Sequence, residues 1–304
     1  MQIYLPIAEM SVPAESLAIL GVAVGFLSGL FGVGGGFLAT PFLLFMGIPP
    51  AVAVGTQANQ LVATSVTGVL GHWRKGNVDF HLGGMMTVGG MGGAVIGIFI
   101  FRLLQHFGHI DVFIGISYIL LLGSIGSMML FESLQAVMNR SKVTEDVQAI
   151  SQREFFRNLP YKMRFTKSRL YMSALLPIAV GFFGGVLISI LGVGGGFVMV
   201  PAMIYILGMP SLLVPGTSLY QIIFISAFSC ILHAVANGTV DVILALVLIA
   251  GGVVGAQVGV RLAKRIKGAP ARVALALIIL GVCVRMMAAM FIQPADLFSL
   301  DVRP

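Results

Sequence analysis

The stretch "FGVGGGFLATP" at residues 31–41 returns as "LGVGGGFVMVP" at residues 191–201. Three glycines in a row leave every side of a helix without a side chain to pack. An unwound turn suits them better, because glycine enters left-handed backbone without steric cost. Apolar residues run up to each cluster and resume after it, at 16–31 and 37–47 in the first copy and at 171–191 and 197–208 in the second. The segments after the clusters would span only about 16–18 Å as helices, short of a hydrocarbon core of about 30 Å. Each pair therefore reads as a hairpin that bends at its glycines partway through a membrane.

Composition agrees. Of 304 residues, 58% are hydrophobic and 10% charged, with a mean hydropathy of +1.02. Soluble domains carry about 25% charged residues, so a fully solvated surface is excluded. Further apolar stretches occupy 50–71, 82–101 and 110–131 in the first half and 211–233, 241–262 and 270–292 in the second. Backbone polar groups in lipid must be satisfied internally, which favours helices over barrel strands. The sequence thus predicts an all-α polytopic membrane protein with eight to ten membrane helices. The net charge of +7 and pI near 9.7 do not point to nucleic acid, because the basic residues lie between apolar segments. Leu17 to Phe31 has no basic leader and reads as a retained membrane element, not a cleaved signal. Cys230 and Cys283 sit in separate apolar segments and read as packing residues, with no disulfide or metal implied.

The two halves align almost without gaps. After the glycine clusters, Gly47, Pro49, Gly55, Thr56, Gln60, Ser65 and His72 match Gly208, Pro210, Gly216, Thr217, Gln221, Ser226 and His233. Val78, Asp79, Gly89, Gly93 and Gly97 then match Val240, Asp241, Gly251, Gly255 and Gly259. This is a duplicated unit of five apolar elements, with a first repeat at 1–131, a connecting segment at 132–170 and a second repeat at 171–304. Lysine and arginine orient it. Arg74 and Lys75 lie in one loop of the first half, whereas five basic residues between Arg261 and Arg272 lie in a non-equivalent loop of the second. Placing both loops and the basic connecting segment in the cytoplasm puts 15 of the 18 basic residues inside. Equivalent loops then face opposite sides. The repeats are expected to be inverted, with both termini outside a bacterial plasma membrane and the two glycine-turn hairpins meeting near its midplane. In the connecting segment, Thr144 is expected to cap a short helix at the membrane surface, where basic residues would meet anionic lipids.

Two readings of the glycines compete. Close helix packing explains Gly89, Gly93 and Gly97, and Gly251, Gly255 and Gly259, through their spacing of four. It explains Gly34, Gly35, Gly36, Gly194, Gly195 and Gly196 less well. A turn free of side chains exposes consecutive N–H groups that can hold an anion, aided by the following helix N-terminus. "GTQANQ" at 55–60 and "GTSLYQ" at 216–221 open the next element of each half. They add Thr56, Gln57, Asn59 and Gln60, and Thr217, Ser218, Tyr220 and Gln221, mainly neutral donors with no acidic residue among them. Bonds to neighbouring helices are the competing explanation for these polar groups. His72 and His233 read either as polar caps or as carriers of a proton or anion. Arg285 reads either as snorkelling to the surface or as attracting an anion. Asp79 and Asp241 read as helix caps. No nucleophile–base set, zinc spacing or nucleotide motif appears, so no cofactor and no enzymatic activity are expected.

The two "GVGGGF…P" turns, the two "GT…Q" openings and the loops "GNVD" (76–79) and "GTVD" (238–241) resemble the sulfite exporter TauE/SafE family of membrane transporters. The resemblance covers about 18–131 and 173–292. It implies a permease for small sulfur-containing anions such as sulfite, thiosulfate or a sulfonate, with a homodimer left open. A secondary transporter working by alternating access is the expected mechanism, and an anion channel on the same frame is the alternative.

Overall fold

The computed structural model describes residues 2–31, 34–138, 160–262 and 269–291. The expected helix after Thr144 and the basic loop at 264–268 lie outside these residues. The described chain is mainly helical, and its helices follow the apolar segments closely. In the first half they are α1 (Ala14–Phe31), α2 (Gly36–Phe45), α3 (Pro50–Trp73), α4 (Phe80–His106) and α5 (Ile110–Met138). The second half repeats the order with α6 (Leu175–Leu191), α7 (Gly196–Tyr205), α8 (Val214–Asn237), α9 (Val242–Leu262) and α10 (Ala269–Phe291). Among the described residues six helices, α1, α4, α5, α8, α9 and α10, are long and apolar enough to cross a membrane. Helix α3 has the length but is diluted by Thr56, Gln57, Asn59, Gln60, Thr64 and Ser65. The ten-residue α2 and α7 are as short as their sequences required.

The all-α expectation needs one correction. Two antiparallel hairpins precede the first helix of each half: β1 (Gln2–Leu5) with β2 (Met10–Pro13), and β3 (Lys162–Phe165) with β4 (Leu170–Ser173). Leu5 pairs with Met10, and Phe165 with Leu170, across four-residue turns in which Glu9 and Arg169 both take φ 52°. Four-residue strands are too short to display a period-two pattern, so the sequence did not reveal them. The second hairpin straddles the boundary expected at 170/171.

Packing joins the halves instead of separating them. Helix α1 lies along α9, and α4 along α6; α3 packs on α8, and α5 on α10. Glycine sets the first two contacts. A Cβ at Gly25 would overlap the carbonyl of Gly252, and one at Gly29 that of Ala256. Equivalent overlaps place Gly89 on Ile178 and Gly93 on Phe182. The spacing-of-four glycines are therefore close-packing positions, where side-chain-free backbones approach directly. Contacts advance in the same direction along both partners, so α1 runs parallel to α9 and α4 parallel to α6. In contrast, Thr56 at the start of α3 meets Asp241 just beyond the end of α8. Thr217 at the start of α8 meets Asp79 just beyond the end of α3. Helices α3 and α8 are antiparallel.

Candidate functional site

The glycine turns are unwound as their composition required. Gly34 and Gly35 take φ 84° and 67°, and Gly194 and Gly195 take 78° and 57°. Each turn folds back on itself: the N–H of Gly36 donates to the carbonyl of Gly34 at 2.8 Å, and that of Gly196 to the carbonyl of Gly194. Those two N–H groups are consequently engaged within the turn. The turns come together. A Cβ at Gly34 would sit 3.4 Å from the carbonyl oxygen of Gly194, and one at Gly36 would sit 2.8 Å from that of Gly192. Phe37 and Phe197, the first side chains after the glycines, stack with centroids 4.5 Å apart and planes 9° from parallel. Leu61 of α3 reaches the built Cβ positions of Gly34, Gly36 and Gly194, and Ile222 of α8 reaches that of Gly34. Leu61 and Ile222 are equivalent in the two halves, and both are fully buried. An apolar pair thus closes over the crossing of the turns.

The residues of the two "GT…Q" openings divide into three sets. Thr56 and Thr217 belong to the framework. Their hydroxyls accept the backbone N–H of Asp241 and of Asp79, each at 2.9 Å. The glycines before them make the approach possible. A Cβ at Gly55 would lie 2.6 Å from the hydroxyl of Thr239, and one at Gly216 would overlap the carbonyl of Asn77. Asp79 and Asp241 cap α4 and α9 as expected, each accepting two N–H groups of the first turn through Oδ1. Their Oδ2 atoms hold the hairpins, since Ser168 donates to Asp79 through both its N–H and its hydroxyl, and Ile7 N–H donates to Asp241. The "GT" and "VD" motifs are therefore partners across the halves.

Asn59 and Tyr220 form the second set and point elsewhere. Asn59 accepts the Cys230 thiol at 3.0 Å. Tyr220 packs against Phe80 and Phe224 on the outer surface.

Gln57, Gln60, Ser218 and Gln221 form the third set. All are at most 1% exposed, and none of their side-chain polar atoms has a partner among the described residues. A buried polar group left unpaired costs about 1–3 kcal/mol. Helical spacing of four puts Gln57, Leu61 and Ser65 on one face of α3, with Gln60 three residues from Gln57; the Ser65 hydroxyl is also buried with no partner among the described residues, as is that of Ser226 at the matching place in the second half. Gly252 on α9 makes room for the Gln60 amide, whose Nε2 lies 2.9 Å from where a Cβ would stand. Thr40 Oγ1 is likewise buried, next to Gly192 and beside the Tyr118 hydroxyl. Sequence reasoning missed Thr40, Leu61 and Ile222. Ser65 and Ser226 were visible as a matched pair.

The outlying candidates separate from this cluster. His233 Nε2 lies 2.8 Å from the Ser189 carbonyl and Nδ1 lies 3.0 Å from the Asn237 amide, so both ring nitrogens are engaged. Its counterpart His72 is half-buried with Nδ1 unpartnered. Arg285 is exposed on α10, its guanidinium 4.6 Å over the Phe45 ring at the end of α2. Among the described residues no group of three His, Cys, Asp or Glu side chains could hold a metal ion.

A family profile described as Sulfite exporter TauE/SafE matches residues 17–286. Among similar curated proteins, the "Probable membrane transporter protein YjnA" of Bacillus subtilis strain 168 is 30% identical over 269 residues, covering 87% of this chain and 96% of its own. A "Probable membrane transporter protein" of Xylella fastidiosa strain 9a5c is 31% identical over 259 residues, covering 81% and 83% respectively. A third, YunE of Bacillus subtilis strain 168, is 27% identical over 259 residues, covering 83% and 89%. No solved structure is a significant match.

Proposed function

Because the chain belongs to the sulfite exporter TauE/SafE family, we propose that it is a secondary transporter for a small sulfur-containing anion, such as sulfite, thiosulfate or an organosulfonate. The observation that carries this reading is the set of buried, unpartnered groups at equivalent places in the two halves: Gln57 with Ser218, Gln60 with Gln221, and Ser65 with Ser226. Amides and hydroxyls without a neighbouring carboxylate suit an oxyanion, which takes charge-assisted hydrogen bonds from neutral donors. The glycine turns beside them bring helix N-termini of both halves to the same place.

Alternating access follows from the pairing of helices. The antiparallel α3 and α8, and the exchanged partners α1–α9 and α4–α6, support two inverted repeats related by a pseudo-twofold axis. One half rocking against the other would uncover the buried groups first to one side and then to the other, with Leu61 and Ile222 closing the crossing. On this reading Arg74, Lys75 and the hairpin Lys162–Ser173 face the cytoplasm across a plasma membrane and both termini lie outside, an orientation that the bias of basic residues supports.

The test is transport by purified protein in proteoliposomes. A secondary transporter accumulates labelled sulfite or sulfonate against its gradient when a proton or sodium gradient is imposed. Dissipation of the anion gradient alone, with no accumulation under any imposed ion gradient, would identify a channel.

A further inference from the structure

An outward-facing groove lies at one end of the α3–α8 pair, about 260 Å³ in volume. Val66, Leu70 and Trp73 of α3, Phe80 of α4, and Tyr220 and Phe224 of α8 line it, and its surface is almost wholly apolar. Trp73 is 56% exposed, and Phe80, Leu70 and Phe224 are about two-fifths exposed. The aromatic rings form a connected edge-to-face series: Trp73 with Phe80 at 6.2 Å, Phe80 with Tyr220 at 5.1 Å, and Tyr220 with Phe224 at 5.2 Å.

The duplicated sequence supplies an internal control. Trp73, Phe80, Tyr220 and Phe224 correspond to Ala234, Val242, Asn59 and Ala63 in the opposite half. Every aromatic ring is lost there, so the repeated fold does not require this groove. The charge at its end is equally one-sided. Arg74 and Lys75 follow Trp73 directly and are exposed, whereas Val235 and Ala236 stand at the matching positions. Asp79, the residue before Phe80, binds Ser168 of the hairpin that carries Lys162, Arg164, Lys167 and Arg169. An apolar slot in the outer surface and exposed basic residues next to it thus occur together, at one end only.

We infer that this groove binds a phospholipid with an anionic headgroup, one acyl chain lying along the Trp73–Phe224 rings and the phosphate on Arg74 and Lys75. Trp and Tyr belong at the membrane interface, where an apolar face meets lipid and a polar edge meets water. A basic residue near an anionic lipid surface shifts partition by roughly fivefold, so the two together favour an anionic lipid by roughly tenfold or more over a zwitterionic one.

Trp73 is the single tryptophan of the chain, so its fluorescence reports on the groove directly. The full-length protein is reconstituted into phosphatidylcholine vesicles with rising fractions of brominated-chain phosphatidylglycerol or, separately, brominated-chain phosphatidylcholine. Phosphatidylglycerol should quench Trp73 at mole fractions at least roughly tenfold lower. Arg74→Gln with Lys75→Gln, both at exposed positions, should bring the two quenching curves together, while an excess of inorganic phosphate should leave the wild-type curves unchanged. Equal quenching by the two lipids in the wild type would overturn the inference. So would a preference that survives in the double variant, and displacement by phosphate would show an anion site without a lipid.

Discussion

Replacing Gln221 by methionine separates a ligand site from ordinary packing. Both amide atoms of Gln221 are buried without a partner among the described residues, on a side chain with no exposure. Leaving a buried donor or acceptor unsatisfied costs about 1–3 kcal/mol. A swap that conserves volume in a core costs less than about 1.5 kcal/mol. Gln221→Met should therefore leave the ligand-free protein as stable as wild type or up to about 2 kcal/mol more stable. The same change removes a hydrogen bond to a charged ligand, worth about 1.5–3 kcal/mol, which is a loss of roughly 10- to 150-fold in affinity. Detergent-purified protein is melted with and without sulfite, thiosulfate, sulfoacetate, taurine and sulfate. The anion that raises the wild-type midpoint is then titrated into both proteins by calorimetry. A stabilised variant that no longer binds is the expected result. A variant destabilised by more than about 1 kcal/mol that binds normally would show that the amide is bonded in the resting protein and takes no part in the site.

Thr56→Val and Thr217→Val should each destabilise the protein by about 1–3 kcal/mol, because each strands a buried aspartate N–H; Thr→Ser at either position should largely restore the unfolding midpoint. At Gly35, φ is 67° and a Cβ would stand 2.9 Å from the Val24 carbonyl oxygen and the Ser28 side chain. Gly35→Ala should thus cost at least about 1–2 kcal/mol and lower the yield of monodisperse protein, with normal affinity in whatever folds. Arg285→Lys keeps the charge on the exposed face of α10 but changes the cation over Phe45, so transport should stay near wild type, and a loss beyond tenfold would return Arg285 to the site. Single cysteines at Asn77 and Lys167 should react with a membrane-impermeant reagent from one side of the membrane, and one at Tyr4 from the other. Labelling of all three from one side would refute the inverted arrangement.

What the amino-acid sequence determined alone was set by short-range physics. The lengths of the segments follow from helical rise against the thickness of lipid. The break at Gly34–Gly36 follows from the absence of side chains, and the caps at Asp79 and Asp241 from the orphan N–H groups of the helices they precede. The doubling of all these features was visible because equivalent residues stand at a nearly constant separation. Partnership was decided only by the tertiary structure. Thr56 and Asp241 are 185 residues apart, and no local pattern states that the hydroxyl of one motif accepts the N–H of the other. The same holds within "GTSLYQ" (216–221), where composition offers four polar side chains and helical rotation sends them to different neighbours. Thr217 goes to a loop of the other half, Tyr220 to the outer apolar groove, and Ser218 and Gln221 to the buried interior. A helix has one sequence but several faces, and which face is the inside is settled by what packs against it.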